Sequence, residues 1–183
     1  MPGKSCVFII GFSGSGKTSV GQILARYLHG RFVDLDELIE KQQLQSIADI
    51  FRERGEPFFR HLEQGAFEQS VRNARGTTVI ALGGGAFENP AIRRRSSENG
   101  TTVYLSCAAR ELYRRLRTCR DRPLLEVKPK TGETHAKARR RKIAELLSKR
   151  LPNYRRADII CSSTRRTPAQ AARLVAHRLE SLW

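Results

Sequence analysis

Short apolar runs recur along the 183-residue chain, separated by longer stretches in which apolar residues return every three or four positions. The short runs are 6–10 (CVFII), 31–34 (RFVD), 77–82 (TTVIAL), 101–105 (TTVYL) and 157–161 (ADIIC). Their β-branched and aromatic content predicts strands. In 17–29, Val20, Ile23, Leu24, Tyr27 and Leu28 fall on one helical face, and 36–42, 46–54, 56–74, 88–98, 108–117, 136–151 and 168–182 also read as helices. Strands that are nearly continuous in apolar residues, alternating with helices, predict an α/β fold. The expected form is a three-layer α/β/α arrangement around a five-stranded parallel sheet covered on both faces. Residues 118–135 carry few apolar side chains after Leu125 and are expected to form a mobile loop. With no repeat and no low-complexity linker, the length suits a single domain over 1–183.

Composition narrows the setting. No apolar run approaches the roughly 20 residues a membrane helix requires. The run Val7–Ile10 is too short for the core of a secretory signal, which gives the expectation of a cytoplasmic protein without membrane contact. Cys6, Cys107, Cys119 and Cys161 lie far apart with no CxxC pair, which argues against a zinc site or a disulfide framework. The formal net charge is +16, and from Arg110 to Arg156 there are 17 Lys and Arg against 5 Asp and Glu. Such an excess calls for anionic partners. A nucleoside triphosphate and an acidic metabolite account for a few of those charges. The remainder reads as a solvated face or as weak affinity for polyanions, with no specific nucleic-acid partner expected because no aromatic-rich RNA-binding motif accompanies the basic residues.

The strongest chemical signal is Gly11-Phe12-Ser13-Gly14-Ser15-Gly16-Lys17-Thr18, which fits G-x-x-x-x-G-K-[ST] without a mismatch, between a predicted strand and a predicted helix. The glycines let successive N–H groups point inward at phosphate oxygens, and the helix that follows adds the positive end of its dipole. Lys17 supplies a cation for the β- and γ-phosphates of ATP, and Thr18 a hydroxyl for Mg²⁺. Nucleotide contacts are expected from Gly14, Ser15, Gly16, Lys17, Thr18 and Ser19.

Motor-type and ABC-type ATPases end a later strand in Asp or Asp-Glu, whereas strand 77–82 runs into Gly83-Gly84-Gly85. The GTPase strings NKxD and DxxG are both missing. The carboxylates occur instead in Phe32-Val33-Asp34-Leu35-Asp36. Alternation along a strand puts Asp34 and Asp36 on one side, one for the metal and one for the acceptor hydroxyl of a kinase. A helix N-cap is the simpler reading of Asp36 and is compatible with that role. Three consecutive glycines suggest close approach of backbone to a ligand at the end of a strand.

Taken together, the phosphate loop, Phe32-Val33-Asp34-Leu35-Asp36, Gly55-Glu56-Pro57-Phe58-Phe59-Arg60-His61-Leu62-Glu63, Leu82-Gly83-Gly84-Gly85, Arg122-Pro123-Leu124-Leu125 and Arg150-Leu151-Pro152-Asn153-Tyr154 resemble the shikimate kinases, in the family's order over nearly the whole chain. The resemblance implies a P-loop kinase fold and transfer of the γ-phosphate of ATP to the 3-hydroxyl of shikimate, with Mg²⁺. It further implies that Asp36, Arg60, Gly83, Gly84, Gly85 and Arg150 hold shikimate. Arg60 and Arg150 would take its carboxylate and Glu63 would brace Arg60. Lys17, Asp36 and Arg122 would be catalytic, Asp36 as base and Arg122 from a lid over about 117–136. Asp34 and Thr18 would serve the metal, and Arg117 and Pro168 would frame adenine. The substrate-binding region would span 36–63, and a monomer is expected. Arg114, Arg115, Arg139, Arg140 and Arg141 read as solvated faces.

The chain departs from the family pattern in the lid, which is short between Arg117 and Arg122 and long, polar and basic around 126–135. That leaves the adenine contacts of Arg117 and Arg120 open. Two alternatives stay beside the first reading: a related small-molecule kinase, such as a gluconate kinase, and a nucleotide- or polyanion-binding protein without catalysis.

Overall fold

A computed structural model describes residues 6–119 and 123–182. In chain order the elements are β1 (Cys6–Ile10), α1 (Lys17–Tyr27), β2 (Arg31–Asp34), α2 (Leu35–Gln43), α3 (Ile47–Arg72), β3 (Thr78–Ala81), α4 (Pro90–Asn99), β4 (Gly100–Ser106), α5 (Ala109–Leu116), α6 (His135–Tyr154), β5 (Ile159–Ser162) and α7 (Pro168–Glu180). The strands form one parallel sheet in the order β2-β3-β1-β4-β5. All five residues of β1, its central strand, are buried.

Period-two alternation on β1 divides the core. Cys6, Phe8 and Ile10 join one apolar cluster with Phe67 of α3, Ile92 of α4, Leu112 of α5 and Ile143 of α6. Val7 and Ile9 face a second cluster with Val20 and Leu24 of α1 and Ala172, Val175 and Leu179 of α7. Two buried faces require apolar residues at every position of β1, which is why the strand reads as an unbroken apolar run.

Local chemistry sets the element ends. Asp34 caps α2, accepting from the N–H of Asp36 at 3.0 Å. Strand geometry therefore stops at Asp34, and Asp36 lies in the first helical turn, not two residues along a strand. The cap is Asp34 and not Asp36. The stretches 46–54 and 56–74 run on as one helix, α3, kinked where Gly55 takes φ 78° and ψ 173°. Pro57 falls in the first turn after that kink, where its missing N–H costs nothing. A capping box of Thr167 and Gln170 opens α7, with Pro168 as its first residue. In the stretch read as a loop, a short turn at Pro123–Leu125 buries Leu125. Among the described residues no helix is long and apolar enough to cross a membrane.

Candidate active site

Two adjoining cavities open at the C-terminal ends of β1, β2 and β3. The larger, of about 720 Å³, is lined by the loop Ser13–Ser19, by Asp34 and Asp36, and on the far side by Arg115, Ser163, Arg166, Thr167 and Pro168. The loop turns through conformations that suit glycine: φ is 77° at Gly14 and 98° at Gly16, the N-cap of α1. Gly14 also has to be glycine because Leu116 of α5 packs against it, leaving no room for a side chain. Lys17 Nζ folds back over the loop and donates to the carbonyls of Gly11 and Phe12 at 3.1 and 3.2 Å. Thr18 Oγ1 donates to Asp34 Oδ2 at 2.7 Å, joining α1 to the end of β2. Asp34 thus uses one oxygen on the helix cap and the other on Thr18.

Arg115, read from the sequence as a solvated residue, lies instead on the wall of this cleft. Its guanidinium donates to the carbonyls of Gly14 and Ser15 at 3.2 and 3.3 Å and to that of Ser163 at 3.3 Å, and pairs with Glu111 at 2.8 Å. Arg166 joins it on that wall, as does Pro168, the residue expected to frame adenine. Arg117 does not line the cleft: it is exposed at the C-terminal cap of α5. Nothing in the sequence singled out Arg115 and Arg166 from the many other arginines. Arg114 is exposed and pairs with Glu111. Arg139 donates to the Cys119 carbonyl at 2.5 Å, Arg140 lies over the Tyr113 ring at 4.5 Å, and Arg141 bridges Glu133 and Glu145, so these three are engaged as well as near solvent. Arg122 and Arg120 lie outside the described residues.

The smaller recess is lined by Phe12, Ser13, Asp36, Arg60, Glu63, Gly83, Gly84, Gly85 and Arg150, with Phe51, Phe59 and Leu125 among its apolar contributors. Arg60 is held by two acids of α3: Glu63 at 2.7 Å and Glu56 at 2.8 Å. Arg150, only 7% exposed, comes from α6, donates to the Gly84 carbonyl at 2.9 Å and lies over the Phe12 ring. The three glycines are explained by these side chains. None of them takes a positive φ. An added Cβ on Gly83 would strike Glu63 and come within 2.8 Å of Asp36 Oδ1, one on Gly84 would come within 2.9 Å of Ser13 Oγ, and one on Gly85 within 2.5 Å of Arg60 Nη2. The three glycines thus pack closely against the protein's own polar groups, and all three line the recess.

Glu63 is 1% exposed, and its Oε1 has no hydrogen-bond partner among the described residues. Burial pushes its carboxyl up to about 7; the negative charge of Asp36 adds to the rise, while Arg60 and Arg150 oppose it. Asp36, Ser13 and Ile47 line both cavities and mark their junction.

A glycine-rich phosphate loop at the end of the central strand, next to a second recess with facing carboxylates and guanidinium groups, defines a P-loop kinase of small molecules. A family model described as shikimate kinase matches residues 13–180. Shikimate kinases of Chlorobium chlorochromatii and Persephonella marina are 45% and 36% identical to the chain, covering 85% and 94% of it and 80% and 98% of their own length. Among solved structures, the shikimate kinase of Acinetobacter baumannii in complex with shikimate aligns with a TM-score of 0.89 at 28% identity, over 98% of this chain and 95% of that one. The shikimate kinase of Bacteroides thetaiotaomicron aligns with a TM-score of 0.81 at 31% identity, over 97% of each chain. A gluconokinase of Sinorhizobium meliloti, 17% identical with a TM-score of 0.57, shares the fold. The chain belongs to the shikimate kinase family.

Proposed function

We propose that the two cavities divide the reaction of a shikimate kinase between them, ATP in the larger cleft and shikimate in the recess. As a member of that family the protein is an ATP-dependent phosphotransferase acting on shikimate. The observation that carries the division is the position of Asp36 at the junction of the cavities. There a carboxylate meets both the acceptor hydroxyl and the phosphate to be moved.

The loop N–H groups and the N-terminus of α1 receive the phosphates, and Lys17 exchanges its carbonyl contacts for phosphate oxygens. Arg115 and Pro168 bound the nucleoside end. In the recess Arg60 and Arg150 take the carboxylate of shikimate, since planar guanidinium groups fit that anion. Glu63 and Glu56 hold Arg60 in place beforehand, which lowers the ordering cost on binding. The 3-hydroxyl oxygen attacks the γ-phosphorus as the bond to the bridging oxygen of ADP breaks, and Asp36 accepts the hydroxyl proton.

Mg²⁺ belongs to this reading. The Thr18 hydroxyl and the Asp34 carboxylate, already 2.7 Å apart, are the hard oxygen donors Mg²⁺ takes. Few protein ligands suit an ion that keeps water and substrate phosphates in its shell. When bound, it would neutralise charge on the phosphates. One chain lines both cavities, so the reading needs no second subunit, and a cytoplasmic setting, where ATP is supplied, belongs to the same reading.

Coupled ADP release with shikimate, gluconate and AMP offered separately tests the reading. Turnover is expected with shikimate, and its absence would overturn the assignment. Asp36→Asn should lose turnover by at least about 100-fold while ATP still binds. Surviving activity would remove Asp36 from the role of base.

A further inference from the structure

The last turns of α6 dock through three donors, two on the glycine turn and one on Glu88 just beyond it. At spacings of three and four residues Arg150, Asn153 and Tyr154 share one helix face. Arg150 Nη1 donates to the Gly84 carbonyl at 2.9 Å and Asn153 Nδ2 to Glu88 Oε2 at 3.1 Å. The Tyr154 hydroxyl donates to the same Gly84 carbonyl. A carbonyl oxygen has two lone pairs, so Gly84 is fully engaged.

Tyr154 is 1% exposed and lines neither cavity. Its ring stacks on Tyr104 of β4, with centroids 5.0 Å apart and planes at 25°. The phenol is thus anchored to the sheet on one side and to the glycine turn on the other. Burial pushes its pKa upward, so it remains a donor throughout the range in which the enzyme works. Small movements of Gly84 matter because its neighbours already touch the recess groups: Gly83 lies against Asp36 and Glu63, and Gly85 against Arg60.

The structure assigns Tyr154 the role of a positioning residue: its hydroxyl pins the Gly84 carbonyl, and so holds Arg150 and the glycine turn at the spacing the acidic substrate requires. This rests on the reading of the recess as the shikimate site. Without the phenol, Arg150 alone would hold the carbonyl, and each sway of the turn would carry the guanidinium with it.

Tyr154→Phe tests this, because it keeps the ring and the stack and removes one donor. Shikimate affinity measured by titration calorimetry should weaken about 5- to 20-fold, with KM for shikimate following it and KM for ATP within about 2-fold of the parent. An unchanged shikimate affinity, or an equal shift in KM for ATP, would overturn the role. Tyr104→Phe, which leaves both donors to Gly84 in place, should bind shikimate as the parent does. An equal loss there would reduce the effect to general loosening of the core and overturn the role. Arg150→Ala separates this inference from the reading beneath it. If that variant binds shikimate normally, the recess is not the acid site and both fail. If it loses binding while Tyr154→Phe does not, only the positioning role fails.

Discussion

Gly83→Ala adds a single methyl at the point where the recess is tightest. Gly83 is buried, and the new carbon would lie 2.8 Å from Asp36 Oδ1 and closer still to Glu63 Oε1, inside the roughly 3.0 Å below which such a carbon does not come to rest. Neither neighbour yields cheaply. Glu63 is 1% exposed and tied to Arg60 at 2.7 Å, and Asp36 sits in the first turn of α2, whose cap is fixed by Asp34. Overpacking of this kind costs about 1–3 kcal/mol. For a chain of this size that lowers Tm by about 3–10 °C. The effect on turnover should be larger, because a shift of about 1 Å in groups that orient substrate costs about 100-fold. Gly65→Ala is the matched comparison: Gly65 is exposed within α3, and nothing lies within 4 Å of an added Cβ. It should stabilise the protein by about 0.5–1 kcal/mol through helix propensity and leave activity unchanged. Differential scanning calorimetry and steady-state kinetics on both variants decide the matter. A Gly83→Ala enzyme with the parent's Tm and kcat/KM would refute the close-approach account of the glycine turn.

Two further predictions concern ionisable groups. Because burial raises the Glu63 carboxyl to about 7, the folded protein binds more protons there than the unfolded chain between about pH 4.5 and 7, so this group's contribution to stability falls as pH rises across that window. Relative to Glu63→Gln, the parent should therefore be most stable near pH 5 and least stable near pH 8 in urea unfolding; a gap that is constant or widens with pH would contradict this. Arg115→Ala removes a donor shared by the phosphate loop and the loop before α7, and should raise KM for ATP about 10-fold with KM for shikimate little changed. Arg117→Ala should leave KM for ATP near the parent value, because that side chain does not line the cleft.

The sequence by itself determined the sheet and the phosphate loop. Both are local: β1 is apolar at every position because both its faces are covered, and the glycines, Lys17 and Thr18 act within one turn of backbone. The order of motifs also carried the family. The tertiary structure alone decided how the arginines sort. Arg115 lies in α5 and Arg117 two residues on at its C-cap, with the same chemistry, and the docking of α5 against Gly14 puts the first on the wall of the larger cleft while the second is exposed. Asp36 stands two residues beyond the end of β2, in the first turn of α2, because Asp34 caps that helix, so strand alternation does not govern its place. The glycine turn was legible as a place of close approach. What approaches it are Glu63 from α3 and Arg150 and Tyr154 from α6, residues far apart along the chain that only packing brings together.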